Sequence, residues 1–182
     1  MAKSPLSLFI LSILFFSNLP ISESKYTSLI YKTCKNISKE DPNISFNFCS
    51  TSLQSRSGRG ADNLRSLGLF SIVLLRRNVT NTRHRVEWLL GYKRFDPFVK
   101  ACLDDCLELY SDAIPTVKRA ARDYVAKRYD DANSGISAAM DAATTCEDGF
   151  KEKKGVVSPL TKRNGDAFEL GAIVLAIMSL LQ

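Results

Sequence analysis

The sequence has few of the residues and motifs that enzymes use for catalysis. His84 is the only histidine, and its position between two arginines on a polar stretch is typical of a solvated imidazole. Nucleophile-elbow, metal-ligand and dinucleotide-binding motifs are absent, and Asp104 and Asp105 would point to different sides of a helix. We interpret Asp130 and Asp131 as helix-capping residues, because negative charge is favourable at a helix N-terminus. We therefore predict a protein that is not an enzyme and that binds neither a metal nor a cofactor.

Strand-like patterns are also nearly absent, whereas helical periodicity is strong. Between Val99 and Phe150, apolar residues recur at alternating steps of three and four, which predicts two long helices with one apolar stripe each. The first stripe comprises Val99, Leu103, Cys106, Tyr110, Ala113, Val117, Ala120 and Tyr124, and the second comprises Tyr129, Ala132, Ile136, Ala139, Ala143, Cys146 and Phe150. Two stripes so close in sequence predict an antiparallel helical hairpin.

The five cysteines fit this hairpin and a smaller one before it. When the long hairpin is folded about residues 127–128, Cys106 falls opposite Cys146, which predicts a disulfide. Cys102 lies one position off the stripe and is predicted to be an unpaired thiol. A second turn near Asp41–Pro42, interpreted as the start of a helix, places Cys34 opposite Cys49 and predicts a disulfide-pinned N-terminal hairpin.

Three further segments complete a helical architecture. A helix is predicted from Ala61 to Gly91, after a connecting loop at residues 55–60, and Asp96–Pro97 is predicted to start the long hairpin. Ser158–Pro159 is interpreted as the last helix start, with a weak point at Asn164–Gly165 before the apolar run 168–181, which is predicted to be a buried helix. The predicted fold class is all-α: an up-and-down four-helix bundle with an N-terminal disulfide-pinned helical hairpin.

The N-terminus has the pattern of a secretory signal peptide. Lys3 precedes an apolar core from Leu6 to Leu19, and Ser22-Glu23-Ser24 matches a small-x-small cleavage site. We therefore predict a signal peptide at residues 1–24, followed by a single secreted domain at residues 25–182. Three N-glycosylation sequons agree with a secreted glycoprotein, at Asn36, Asn43 and Asn78.

The formal net charge is +6, and removing the signal takes away one lysine and one glutamate, so the value does not change. This balance favours acidic partners. Because the charges are interpreted as scattered, rather than gathered into a patch with interleaved aromatic residues, we expect no nucleic-acid partner. We also expect no membrane association after the signal is removed.

Several segments resemble the plant invertase and pectin methylesterase inhibitor family. The resemblance is carried by residues 106–113 (CLELYSDA) and 144–150 (TTCEDGF), by Thr33-Cys34 with residues 49–53 (CSTSL), and by the ending 170–181. Residues 150–159 (FKEKKGVVSP) are further similar to members that carry the name "putative invertase inhibitor", among them a pollen allergen.

The resemblance implies a fold, a location and a function. It implies a secreted four-helix bundle with disulfides Cys34–Cys49 and Cys106–Cys146, located in the cell wall or apoplast or alternatively in the vacuole. It implies a monomer that inhibits a plant acid invertase (β-fructofuranosidase) in a one-to-one complex. Inhibition of pectin methylesterase is the alternative target, and a bundle without inhibitory activity is a further alternative.

One short segment separates the two targets. Family members that block invertase have a Pro-Lys-Phe tripeptide near the start of the helix that holds the fourth disulfide cysteine, and Tyr129-Asp130-Asp131 stands there in this sequence. We predict these three residues to be target-binding. An invertase cleft with paired carboxylates favours a basic loop, whereas a groove for an anionic polymer, as in pectin methylesterase, suits Asp130 and Asp131.

Overall fold

The computed structural model describes residues 21–54 and 61–182, and the described residues form six helices and no strand. The helices are α1 (Ile21–Glu40), α2 (Phe46–Leu53), α3 (Leu64–Tyr92), α4 (Pro97–Val125), α5 (Tyr129–Lys151) and α6 (Thr161–Ser179). Most of the predicted signal peptide, at residues 1–20, and the predicted loop at residues 55–60 lie outside the described residues.

Helices α3 to α6 form an up-and-down bundle in which α4 packs between α3 and α5, and α6 closes the bundle against α5 and α3. The two predicted stripes face its core. Only Val99 and Tyr129, the first residue of each stripe, are partly exposed, and the other stripe residues are buried. The prediction of an all-α four-helix bundle is confirmed.

The N-terminal hairpin of α1 and α2 packs on one flank of this bundle, against α3 and α6. The disulfide Cys34–Cys49 joins its two helices. Ile30 and Leu53 of the hairpin are fully buried in a cluster that includes Ile173 of α6. The Ser45 N–H donates a 2.6 Å hydrogen bond to the Glu169 carboxylate of α6, which ties the start of α2 to the bundle.

The predicted helix start at Asp41–Pro42 is wrong. Helix α2 begins at Phe46, where the Ser45 side chain caps it by accepting from the Phe48 N–H. The Asp41 carboxylate instead accepts from the N–H of the residue two positions later, as in an Asx turn. Ile44, between turn and helix, is buried in the hairpin core, so this segment crosses between α1 and α2 in a non-helical conformation.

The boundaries of the other helices agree with the sequence in one case and differ slightly in two. Helix α4 begins as predicted at Pro97, and the Asp96 carboxylate accepts from the Phe98 N–H at 3.1 Å. Helix α3 begins at Leu64 rather than at the predicted Ala61, because the Asn63 side chain caps it by accepting from the Ser66 N–H, and it continues one residue past Gly91. Helix α6 begins at Thr161 rather than at the predicted serine–proline pair, because Ser158 closes a turn by accepting from the Leu160 N–H.

Asn164, predicted to lie at a weak point, is instead buried in the bundle and joins three helices. The Tyr110 hydroxyl of α4 donates to its Oδ1 at 2.6 Å, and its Nδ2 donates to Glu147 of α5 at 2.7 Å. Thr161 donates to the other Glu147 oxygen at 2.7 Å. Burial, with Glu147 nearby, raises the pKa of Tyr110 well above its usual range, so its hydroxyl stays a donor.

Helix α6 is the buried helix that the apolar C-terminal run predicts. Its buried residues are Asn164, Ala167, Leu170, Gly171, Ala172, Ile173, Val174, Ile177 and Met178. In residues 21–54 and 61–182, none of the helices combines the length and the apolar character needed to cross a membrane.

The second disulfide joins Cys106 of α4 to Cys146 of α5, as the paired stripes predict. Cys102, one helical turn away, is a buried free thiol within hydrogen-bonding distance of the Gly149 carbonyl, at 3.5 Å. Burial raises the pKa of this thiol, and the carboxylates of Asp105 and Glu152 raise it further.

Candidate target-binding site

The turn that joins α4 to α5, residues 126–131, contains all three predicted target-binding residues and has a closed backbone geometry. The Lys127 N–H donates to the Tyr124 carbonyl at 3.0 Å, and the Arg128 N–H donates to the Asp123 carbonyl at 2.9 Å. These two bonds form a Schellman motif, which satisfies the last carbonyls of α4. The α4–α5 turn is therefore fixed by the helix that precedes it.

Lys127 occupies the position of this motif where glycine is usual. Its φ of +60° is the only positive value at a non-glycine residue in the part of the chain that the structure describes. This left-handed conformation costs an L-residue about 1 kcal/mol relative to glycine. The lysine is exposed, and the described residues include no ion-pair partner for it. The turn therefore presents an unpaired positive charge at a strained backbone position.

Arg128, the next residue, is held by acidic neighbours. Its guanidinium pairs with Asp123, whose side chain is 11% exposed, and with Asp131 at 3.4 Å. Because both aspartates flank it, Arg128 braces the turn and contributes little uncompensated charge. The positive charge that remains for a partner is that of Lys127.

Helix α3 anchors the same turn from the side. The Arg65 guanidinium donates to the Val125 carbonyl at 2.7 Å, and the Tyr124 hydroxyl donates to the Arg65 carbonyl at 2.9 Å. Tyr124 also packs edge-on against Tyr129, with ring centroids 5.6 Å apart. Gly68 leaves room for the Tyr124 hydroxyl, since a Cβ there would lie 2.1 Å from it.

The three predicted residues differ in how they can meet a partner. Tyr129 is half-buried, whereas Asp130 and Asp131 are exposed in the first turn of α5. The prediction that the two aspartates cap this helix is wrong, because Arg128 occupies the N-cap position and makes no capping hydrogen bond there. Their charge still suits the positive end of the helix dipole.

Two adjoining grooves run from the turn along the α4–α5 flank, meeting at Thr116. The nearer groove, about 490 Å³, is bordered by residues of the turn region, including Asp123, Arg128 and Asp131. The farther groove, about 550 Å³, is lined by small residues and by the carboxylates of Asp105, Glu108, Asp112 and Asp141. The surface that extends from the turn along this flank is therefore predominantly acidic.

The other residues selected from the sequence do not converge on this turn. His84 is exposed on α3. The sequon residues Asn36 and Asn43 are exposed, and Asn78 is partly buried with its carbonyl oxygen accepting from Thr82 at 3.3 Å. No group of three His, Cys, Asp or Glu side chains in residues 21–54 and 61–182 is placed to hold a metal ion.

The sequence pattern predicted Lys127 only as the centre of a turn, whereas the structure shows it exposed in a left-handed conformation. The available signal was a lysine at the end of a predicted helix, where glycine is the usual residue. That signal is weak in sequence, because the helix end is known to within only one or two residues.

Comparison with known proteins places this bundle in a family. A protein from Platanus acerifolia named "Putative invertase inhibitor" is 40% identical over 174 residues, covering 95% of this chain and 97% of that protein. "Pectinesterase inhibitor 12" from Arabidopsis thaliana is 33% identical over 95% of this chain and 99% of its own length.

A solved structure gives independent support for the fold. The crystal structure of a mutant form of a pectin methylesterase inhibitor from Arabidopsis superimposes with a TM-score of 0.68, at 23% identity, over 80% of this chain and 96% of that chain. The family profile described as plant invertase/pectin methylesterase inhibitor matches residues 28–177. This chain therefore belongs to the plant invertase/pectin methylesterase inhibitor family.

Proposed function

We propose that this protein is a secreted, non-catalytic inhibitor of a plant acid invertase, which it binds as a monomer in a one-to-one complex through the α4–α5 turn. Family membership supports an inhibitor, and the name of the 40% identical relative from Platanus acerifolia supports invertase as its target. The predicted signal peptide and sequons support an extracellular location in the cell wall.

The observation that carries this proposal is the geometry of Lys127. An enzyme that cleaves a neutral sugar with two carboxylates has an acidic cleft, and a cation on a rigid protrusion is attracted to it. Lys127 is such a cation, because it is exposed and its backbone is held by the Schellman motif. Little conformational entropy is lost when a fixed turn binds, which favours tight inhibition.

The acidic flank favours a second target, pectin methylesterase. Asp130 and Asp131 are exposed beside the turn, and the farther groove adds four more carboxylates. An enzyme groove that binds an anionic polymer attracts negative charge, so this flank is complementary to it. In this alternative the aspartates, rather than Lys127, make the decisive contacts.

The proposal is tested by titrating the oxidised protein into an acid invertase with sucrose, and separately into a pectin methylesterase, at an acidic pH like that of the cell wall. We expect invertase activity to fall to a plateau near one inhibitor per enzyme. Pectin methylesterase inhibition alone would select the second target. If neither enzyme slows, the protein is a non-inhibitory bundle and the proposal is wrong.

Lys127→Gly separates binding from folding at this site. Glycine removes the strain of the left-handed conformation but increases the conformational entropy of the unfolded chain, and the two effects oppose each other. The free energy of unfolding should therefore stay equal or rise by up to about 1 kcal/mol. Inhibition of invertase should weaken about 30-fold or more, because a charge pair in the cleft is lost. Lys118→Ala, which removes an exposed lysine from α4, the helix that precedes the turn, is the matched control. Full inhibition by Lys127→Gly would exclude the proposed contact.

Asp130→Asn with Asp131→Asn tests the alternative through opposite effects. The double variant should weaken inhibition of pectin methylesterase if the aspartates carry that contact. It should leave inhibition of invertase equal or stronger, because negative charge is removed from a surface facing an acidic cleft.

A further inference from the structure

The positive charge of this protein is concentrated in one segment. Residues 64–94, which comprise α3 and its C-terminal extension, contain seven lysines and arginines and one glutamate. This segment alone accounts for the net charge of +6, so the remainder of the chain is balanced. The prediction of scattered charge is therefore wrong.

Aromatic rings lie among these cations at the C-terminal end of α3. The Trp88 and Tyr92 rings stack with centroids 5.9 Å apart and planes inclined by 27°. The Arg85 guanidinium lies 4.3 Å from the Trp88 ring centroid, and Lys93 Nζ lies 5.9 Å from it. We call these four residues the Trp88 surface.

The rings of the Trp88 surface are available to a partner. Trp88 is 41% exposed and Tyr92 is 79% exposed, the largest value among the exposed aromatic residues that the structure describes. The Arg85 guanidinium and the Tyr92 ring both pack against Trp88. Tyr92 is the more exposed of the two rings and therefore offers the larger open ring surface. The Arg85–Trp88–Tyr92 stack fixes these side chains before any partner arrives.

The cations of the Trp88 surface keep their charge for a partner. Glu87, the only acidic residue on α3, forms an ion pair with Arg83 at 2.9 Å. Within residues 21–54 and 61–182, Arg85 and Lys93 have no ion pair, and Arg94 follows them in an exposed position. The surface therefore combines an open aromatic ring with uncompensated positive charge.

The Trp88 surface and the α4–α5 turn lie at opposite ends of the bundle. Tyr92 ends α3 at the end where α4 begins, whereas Arg65, at the start of α3, contacts the end of α4. Helix α3 has 29 residues, which corresponds to a length of about 40 Å. A partner on one surface leaves the other surface accessible.

We propose that the Trp88 surface binds an acidic polysaccharide built from uronate sugars. The C–H face of a sugar ring is apolar and packs on the negative face of an aromatic ring such as that of Tyr92. The carboxylates of successive sugars pair with Arg85 and Lys93, and a guanidinium matches a carboxylate particularly well. Arg85 and Tyr92 are seven positions apart, which is about 10 Å along the helix and comparable with the length of a disaccharide.

A polyuronate fits this surface better than the other partners that the surface chemistry allows. An apolar protein surface would leave the cations Arg85 and Lys93 without partners, which costs free energy. A nucleic acid would also satisfy the charges, but it is not the polymer available to a protein secreted into the cell wall. This proposal rests on the proposed function in one respect only, the location in the cell wall. It does not depend on which enzyme the protein inhibits.

Trp88 is the only tryptophan, so its fluorescence reports directly on binding. The oxidised protein is titrated with polygalacturonate, with its fully methyl-esterified form as an uncharged polymer of the same backbone, and with single-stranded DNA of matched charge. We expect a saturable emission change with polygalacturonate that weakens between about 50 and 200 mM salt. Binding to the esterified polymer should be at least about tenfold weaker.

Variants distinguish sugar stacking from simple charge attraction. Tyr92→Ala should weaken polygalacturonate binding about five- to tenfold, whereas Tyr92→Phe, which keeps the ring, should retain it. Lys93→Ala should weaken it, and Lys118→Ala, an exposed lysine on another helix, should not. Equal affinity for DNA, or unchanged affinity in Tyr92→Ala, would overturn the proposal.

Inhibition is measured in parallel to keep the two proposals separate. Tyr92→Ala and Lys93→Ala should inhibit invertase as the unmodified protein does, because the α4–α5 turn is intact. Lys127→Gly should lose inhibition but keep polymer binding, so this variant tests only the proposed function. If the protein binds the polymer but inhibits neither enzyme, the proposed binding site at the Trp88 surface is supported and the proposed inhibitory function is wrong.

Discussion

Replacing Asn164 by alanine should destabilise the bundle by about 2–3 kcal/mol, although the asparagine lies in the first turns of a helix. The Tyr110 hydroxyl, fully buried, would lose its acceptor, and a buried donor without a partner costs about 1–3 kcal/mol. Glu147 would lose a 2.7 Å hydrogen bond but keep the one from Thr161. The better helix propensity of alanine offsets about 0.5 kcal/mol.

Tyr110→Phe is the complementary change and should cost about 1–2 kcal/mol, since the Asn164 oxygen then has no donor. In the double variant both unpaired groups are absent. The double variant should therefore lose less free energy of unfolding than the two single variants together, by about 1–2 kcal/mol. Urea unfolding of the four oxidised proteins of this double-mutant cycle, monitored by circular dichroism, measures these free energies. An unchanged dependence of the unfolding free energy on urea concentration would show that the four proteins expose similar surface on unfolding.

Two results would refute this reasoning. A loss below about 0.5 kcal/mol for Asn164→Ala would mean that the buried hydroxyl finds another partner. Strict additivity in the cycle would mean that Tyr110 and Asn164 do not interact energetically. Thr161→Ala, at the exposed edge of the same network, is the control and should cost only about 0.5 kcal/mol.

Two further predictions concern glycines and the free thiol. Gly68→Ala should lower the free energy of unfolding by about 2 kcal/mol, because the added Cβ would displace the Tyr124 hydroxyl. Gly165→Ala should raise the free energy of unfolding by about 0.5–1 kcal/mol, because Gly165 is exposed and no atom lies within 4 Å of the added Cβ. Thermal unfolding of the two variants compares these effects. The pKa of the Cys102 thiol is raised, so less of it is thiolate than in an ordinary cysteine at the same pH. Iodoacetamide should therefore label Cys102 slowly in the native protein. The labelling rate of the native protein should still increase with pH where the rate of the urea-unfolded protein is already constant. Fast native labelling at neutral pH would contradict its burial.

The pair Asp–Pro occurs twice in this chain, and its two outcomes show how far local sequence signals reach. At Asp96–Pro97 the aspartate caps a long helix, as the signal predicts. At Asp41–Pro42 it closes a turn, because Ile44 is drawn into the core between α1 and α2. A capping signal is worth about 1 kcal/mol, and burying an isoleucine contributes more, so tertiary packing decides between them.

The sequence by itself determined the helical class, the two hairpins and both cysteine pairs. These features depend on periodic stripes and on the register of helices that are neighbours in the chain, so they can be read along the chain. The tertiary structure decided features that need partners distant in sequence. Lys127 is fixed in a turn that Arg65 of α3 braces, and Asn164 is a buried bridge because Tyr110 and Glu147 reach it from two other helices. No local pattern contains those partners, because only the packing of α3 to α6 brings them together.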